Sequence, residues 1–149
     1  MAHTYTSSLY HCVFSTRERE NLIPDELESK LWDYIGGIAR RNGMKSLRVG
    51  GTNNHIHVLL SLNADMPVAK AMQLIKGGSS KWMNEHPRRG RFAWQGGYGA
   101  FTIGISQVDV TVRYIENQKQ HHRKQSFEEE FLQFLKKHDI EYDPRYVWG

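Results

Sequence analysis

Leu47-Arg-Val-Gly-Gly-Thr-Asn-Asn-His55-Ile-His-Val-Leu-Leu-Ser-Leu62 reads as a strand, a turn and a second strand. Leu47 and Val49 alternate with Ser46 and Arg48, and Gly50-Gly51-Thr52-Asn53-Asn54 supplies residues that accept a tight reversal. From His55 to Leu62 the side chains divide by parity. Ile56, Val58, Leu60 and Leu62 form one apolar row that has to be covered, and His55 and His57 point from the other face. A hairpin with one apolar face calls for helices over that face.

The flanking segments supply them. Ser8 to Ser15 alternates and is rich in aromatic and branched residues, which predicts a first strand. Pro24 to about Asn42 predicts a helix, with Leu27, Leu31, Ile35 and Ile38 at helical spacing and Gly43 at its stop. A second helix is expected from about Pro67 to Glu85, with Val68, Met72, Ile75 and Trp82 on one stripe and Gly77-Gly78 as an interruption. Tyr98 to Ile105 reads as a fourth strand. The order strand, helix, strand, strand, helix, strand is the split βαβ, ferredoxin-like plan: an α+β fold with an antiparallel, RRM-like sheet and two helices on one face.

Two more helices follow. Ser106 and Asp109 predict a start for one that runs to about His121. Ser126 and Glu129 form a better capping box for a last helix, which ends in Lys136-Lys137-His138. The tail Ile140 to Trp148 is aromatic enough to pack back on the domain. No repeat or linker interrupts the 149 residues, so residues 1–149 are expected to form one domain.

With 39% hydrophobic and 24% charged residues, the composition is that of an ordinary globular protein. No apolar run approaches the ~20 residues of a membrane span, and no signal-peptide pattern opens the chain. The single cysteine, Cys12, excludes an intrachain disulfide and suits a reducing compartment, so a cytoplasmic location is expected. A net charge of +4 permits nucleic acid as a partner without requiring it. Arg40-Arg41, Arg88-Arg89-Gly-Arg91 and His121-His122-Arg123-Lys124 concentrate basic residues, and Glu128-Glu129-Glu130 concentrates acid. Any one such cluster also fits a solvated surface.

His55 and His57 can chelate one divalent ion from the face opposite the helices. The spacing alone fits equally well two half-exposed strand histidines that hold nothing. Tyr114 and Gln118 lie four apart on one flank of the helix from Ser106, beside a docking stripe of Val108, Val112 and Ile115. That helix has the histidine face left to cover, in its own subunit or in a neighbour. Position alone also fits a boundary aromatic and a surface amide.

Taken together, Asn54-His-Ile-His-Val-Leu-Leu60 and the later Tyr114-Ile-Glu-Asn-Gln118 resemble the single-tyrosine HUH transposases (TnpA) of small bacterial insertion sequences. HUH denotes histidine, a bulky apolar residue, then histidine. The resemblance extends to Tyr10-His-Cys-Val-Phe-Ser-Thr16, Ile75-Lys-Gly-Gly-Ser-Ser80 and Trp94-Gln-Gly-Gly-Tyr98. It implies that His55, His57 and Gln118 bind a divalent metal, Mg²⁺ or Mn²⁺, and that Tyr114 is the nucleophile. It also implies single-stranded DNA with hairpin ends as substrate, and a homodimer in which the tyrosine helix of one subunit can complete the other's site.

Those groups suit the reaction. Three neutral ligands leave an ion's charge and open positions for phosphate oxygens. Attack by a phenol conserves the phosphodiester energy in a 5′-phosphotyrosine, so no nucleotide cofactor is expected, and Gly96-Gly97-Tyr98-Gly99 lacks a Walker lysine. Lys76, Lys81, Arg88, Arg89, Arg91, Arg123 and Lys124 are the expected phosphate contacts, with Trp94 or Tyr98 as stacking platforms unless they belong to the core. Two competing readings remain: a non-catalytic, RRM-like nucleic-acid-binding module, and a metal hydrolase that uses activated water.

Overall fold

The computed structural model describes residues 3–86 and 90–149; Arg88 and Arg89 lie outside the described residues. The elements are β1 (Leu9–Ser15), α1 (Glu28–Arg41), β2 (Lys45–Gly51), β3 (His55–Ser61), α2 (Val68–Asn84), β4 (Gly99–Ile103), α3 (Val108–Glu116), α4 (Gln118–His121) and α5 (Phe127–Lys137). The four strands form one sheet in the order β2-β3-β1-β4, with every neighbouring pair antiparallel. This is the expected α+β, split βαβ plan.

One face of the sheet carries α1 and α2. Cys12 and Phe14 of β1 join Ile56, Val58 and Leu60 of β3 in a core with Leu31, Ile35, Met72 and Ile75 of the two helices. Burying each large apolar side chain stabilises the fold by roughly 1.5–3 kcal/mol, so this row fixes which face of β3 turns inward. The paired glycines do not break α2. A Cβ on Gly78 would lie 2.8 Å from Ile38 Cδ1, so the missing side chain is what lets α1 and α2 approach.

The opposite face is covered, as expected, but by α5 as well as by the helix that carries Tyr114. Helix α5 brings Phe127, Phe131 and Leu135 down on Val13 and Phe101, and Trp148 of the tail packs against the same cluster. Arg19 lies over the Trp148 ring at 4.8 Å. Ser126 holds the start of α5, its hydroxyl accepting from the Glu129 N–H at 3.1 Å. An apolar stripe at helical spacing needs a surface to cover, and this face was the one left.

The other part of that face lies beneath α3. Gly50 stands opposite His57 in the β2–β3 ladder, and Ile115 rests directly on it. The helix expected to run from Ser106 to His121 is divided. A short 3₁₀ turn (Ile105–Gln107) precedes α3, and Asn117 (φ −98°, ψ 22°) separates α3 from α4. Ser106 does not cap it; instead Gln107 Oε1 accepts from the Gly104 N–H at 2.9 Å.

Candidate active site

His55 and His57 are carried on β3, completely buried beneath α3, α4 and α5. Gln118, at the first position of α4, is 1% exposed and sets its Oε1 3.0 Å from His55 Nε2. Its Nε2 donates back to the Tyr114 carbonyl at 3.2 Å, so the four-residue spacing survives the break at Asn117. Tyr114 is half-buried, its ring edge-on to His57 at 5.7 Å between centroids. Its hydroxyl lies 3.3 Å from His121 Nε2 and donates a very short hydrogen bond to Glu130 Oε2. Tyr114, Gln118, His55 and His57 thus come together within one chain.

Two residues that sequence reasoning passed over complete the cluster. Glu130 of α5 is 2% exposed, with Oε1 3.1 Å from His57 Nε2 and 3.8 Å from His55 Nε2. His122 places Nε2 3.2 Å from Glu130 Oε1 and 3.0 Å from Gln118 Oε1. A signal for Glu130 was present, because it interrupts the Phe127, Phe131, Phe134 stripe with a charge. His11 of β1 also joins, its Nε2 2.8 Å from His57 Nδ1.

Electrostatics follow from the burial. Burial, then the neighbouring His57, lowers His11 from 6.5 to about 3 and does the same for His55, so both stay neutral. Burial raises the Tyr114 phenol well above its ordinary value, and the Glu130 carboxylate beside it raises it further. Burial opposes ionisation of Glu130, but His57 and hydrogen bonds from His122, His57 and Tyr114 outweigh it and hold the carboxyl well below the usual range.

The donor set fits a divalent ion. Ligand atoms of His55, His57, His122 and Glu130 all lie within 4.8 Å of one another. Thr52 Oγ1 donates to Asn54 Oδ1 at 3.1 Å, and His55 Nδ1 lies 2.8 Å from that same oxygen. Thr52 Oγ1 is also 3.0 Å from His55 Nδ1, and with the imidazole proton on that nitrogen the Nε2 lone pair faces the Gln118 carbonyl oxygen 3.0 Å away. Two acceptors at that distance repel unless a cation lies between them, and a histidine whose far nitrogen is fixed by an outer partner is the usual arrangement of a metal ligand.

The remaining expected residues are dispersed. Lys81, Arg91, Arg123 and Lys124 are exposed. Lys76 is half-buried and donates to the carbonyls of Gln95 and Gly97, both at 2.8 Å, which ties down the loop before β4. Trp94 belongs to the core, its indole donating to Ser79 Oγ at 2.9 Å. Tyr98 remains exposed. Among the described residues, no helix is long and apolar enough to cross a membrane.

Comparison with known proteins agrees with this architecture. The ISDra2 transposase TnpA of Deinococcus radiodurans is 24% identical over 115 residues, which span 73% of this chain and 82% of that protein. The crystal structure of a transposase candidate from D. radiodurans R1 superposes with a TM-score of 0.61 at 24% identity, covering 79% of this chain and 96% of the other. A REP-associated tyrosine transposase bound to a REP hairpin gives 0.59 at 16% identity, covering 82% and 73%. Both structures share the fold. The model of the family described as IS200-like transposases matches residues 4–118, most of the chain and all of the segment from β1 to Gln118. The chain belongs to the IS200-like transposase family.

Proposed function

We propose that this transposase cuts and rejoins single-stranded DNA through a covalent link to Tyr114, in a site that one chain completes by itself. The observation that carries the reading is the meeting at Glu130: one oxygen accepts from the Tyr114 hydroxyl, and the other faces the Nε2 atoms of both His55 and His57. The α5 helix occupies the sheet face that an RRM-like module would use for base stacking, which speaks against the binding-module alternative.

His55, His57, Gln118 and Glu130 would hold the ion, with His122 beside them. A bound Mg²⁺ or Mn²⁺ would supply Lewis-acid polarisation of the scissile phosphate and balance its charge. The carboxylate hardens a set that would otherwise be imidazole and amide, which suits either metal. Tyr114 Oη attacks phosphorus, the bond to the 3′ oxygen breaks, and the products are a 5′-phosphotyrosine and a free 3′-hydroxyl. The phenol proton passes to an acceptor already beside it, Glu130 Oε2 or His121 Nε2, and the departing 3′ oxygen takes one from solvent. Reversal with a second 3′-hydroxyl rejoins the strand without an external energy source. Hairpin-ended single strands are the proposed substrate, approached over the exposed Lys81, Arg91, Arg123 and Lys124, and on the sequence reading Arg88 and Arg89.

Incubation with Mn²⁺ and hairpin-bearing oligonucleotides should give a protein–DNA adduct that Tyr114→Phe lacks. Cleavage that survives Tyr114→Phe would instead establish a water nucleophile. Salt-sensitive affinity with no cleavage by either protein would establish a binding module. Glu130→Gln should weaken Mn²⁺ binding at least as much as Gln118→Ala; unchanged affinity would remove the carboxylate from the ligand set.

A further inference from the structure

We infer that the cavity on the far side of Tyr114 receives an unpaired nucleobase of the strand being cut, adjacent to the phosphate under attack. The inference rests on the nucleophilic role proposed for Tyr114. The cavity, about 450 Å³, lies between β4, α3 and α5, and Tyr114 and Glu130 form the wall it shares with the histidine cluster. A nucleotide whose phosphorus is in line with the phenol therefore places a neighbouring base at this opening.

The chemistry of the lining matches a base better than a sugar or phosphate. Phe101 and Phe134 stack at 5.2 Å and 15°, and His138 continues the stack on Phe101 at 4.7 Å and 30°. Phe101 is itself buried, so the partly exposed Phe134 and His138 are the rings that offer a face to another flat ring. Gln107 and Gln133 line the cavity with amides that can both donate and accept, which is what reading a base edge requires. Gln107 is already oriented, its oxygen held by the Gly104 N–H at 2.9 Å, so its NH₂ is the free end. Lys137 stands at the same cavity and can meet the next phosphate. Val110, 56% exposed, lines it from α3. The pocket would thus select the nucleotide at the cut, separately from recognition of a hairpin.

Covalent capture tests this. The protein with Mn²⁺ is incubated with hairpin oligonucleotides carrying a randomised single-stranded flank, and the adducts are recovered and sequenced. The wild type should enrich one base about tenfold at a single position flanking the cut. Val110→Trp, which fills the cavity from an exposed site, should reduce that enrichment to near random and leave Mn²⁺ affinity unchanged. Gln133→Ala should change which base is preferred at the same position. An adduct pool with no flanking preference, or one whose preference is identical in both variants, overturns the pocket and spares the tyrosine. Absence of any wild-type adduct overturns the tyrosine reading and the pocket with it.

Discussion

Gly50→Ala isolates how the tyrosine is placed. A Cβ at this position would lie 2.7 Å from the Ile115 carbonyl oxygen and 2.9 Å from Ile115 Cγ2. The nearer atom is backbone, so no rotamer change relieves the contact and α3 has to rise from β2. Overpacking of this kind costs roughly 1–3 kcal/mol. For a domain of this size that lowers the melting temperature by about 3–10 °C. The larger effect should be kinetic. α3 carries Tyr114 and leads into Gln118, whereas His55, His57 and Glu130 are held by β3 and α5. A displacement near 1 Å at a reacting group costs on the order of 100-fold in rate. Single-turnover adduct formation should therefore fall about 10- to 100-fold, with Mn²⁺ affinity falling much less. Adding Ile115→Ala removes Cγ2 but leaves the carbonyl, so it should not restore the rate. A Gly50→Ala protein that melts and reacts like the wild type would refute the reasoning, and rescue by Ile115→Ala would move the obstruction to the side chain.

Mixing Tyr114→Phe with His57→Ala should leave adduct formation at background. If the tyrosine served a partner subunit, heterodimers with one intact site would restore about a quarter of wild-type activity. The metal-free protein should lose stability on acidification. His11 and His55 are held at about 3, chiefly by burial, against 6.5 in an unfolded chain. Above about pH 6.5 neither state is protonated there and stability is at its plateau. Between about 6.5 and 3 the unfolded chain takes protons that the fold refuses, at a cost of about 1.4 kcal/mol per pH unit for each histidine. Glu130, held below its ordinary range, adds a loss of the same sign in stronger acid. Calorimetric melting temperatures that stay flat from pH 7 to 4 would contradict neutral buried rings. Cys12, buried and pushed up to about 12, should resist alkylation at pH 8 until the protein is denatured, and rapid labelling of the native protein would show that the first strand opens.

Much of this was readable in advance where local pattern and burial agree. The parity of β3 separated Ile56, Val58 and Leu60 from His55 and His57, and the helical stripes on either side supplied the cover for the apolar row. Tyr114 and Gln118 were marked as neighbours by their spacing. The failures came where a tertiary choice had no local trace. The tyrosine helix was expected over the histidine face, but nothing in residues 55–62 reports that a second helix some 70 residues later will share it. Glu130 read as one of three acids in a row, whereas its position between Phe127 and Phe131 was the better clue that it points inward. The break at Asn117 is likewise invisible, because the apolar stripe ends at Ile115 and residues 116–125 carry no apolar side chain that would register it.

Helix α5 presses three apolar side chains into Val13 and Phe101 and, from the same turns, extends Glu130 to the phenol and the imidazoles. A survey that ranks positions by lost activity would therefore set Phe127 and Phe131 beside the reacting groups, although neither touches a substrate. Truncating either ring would let the carboxylate drift, and the assay would read a packing defect as a chemical one. Sorting the two needs a second measurement, such as ion affinity or melting temperature, made on every variant that goes silent.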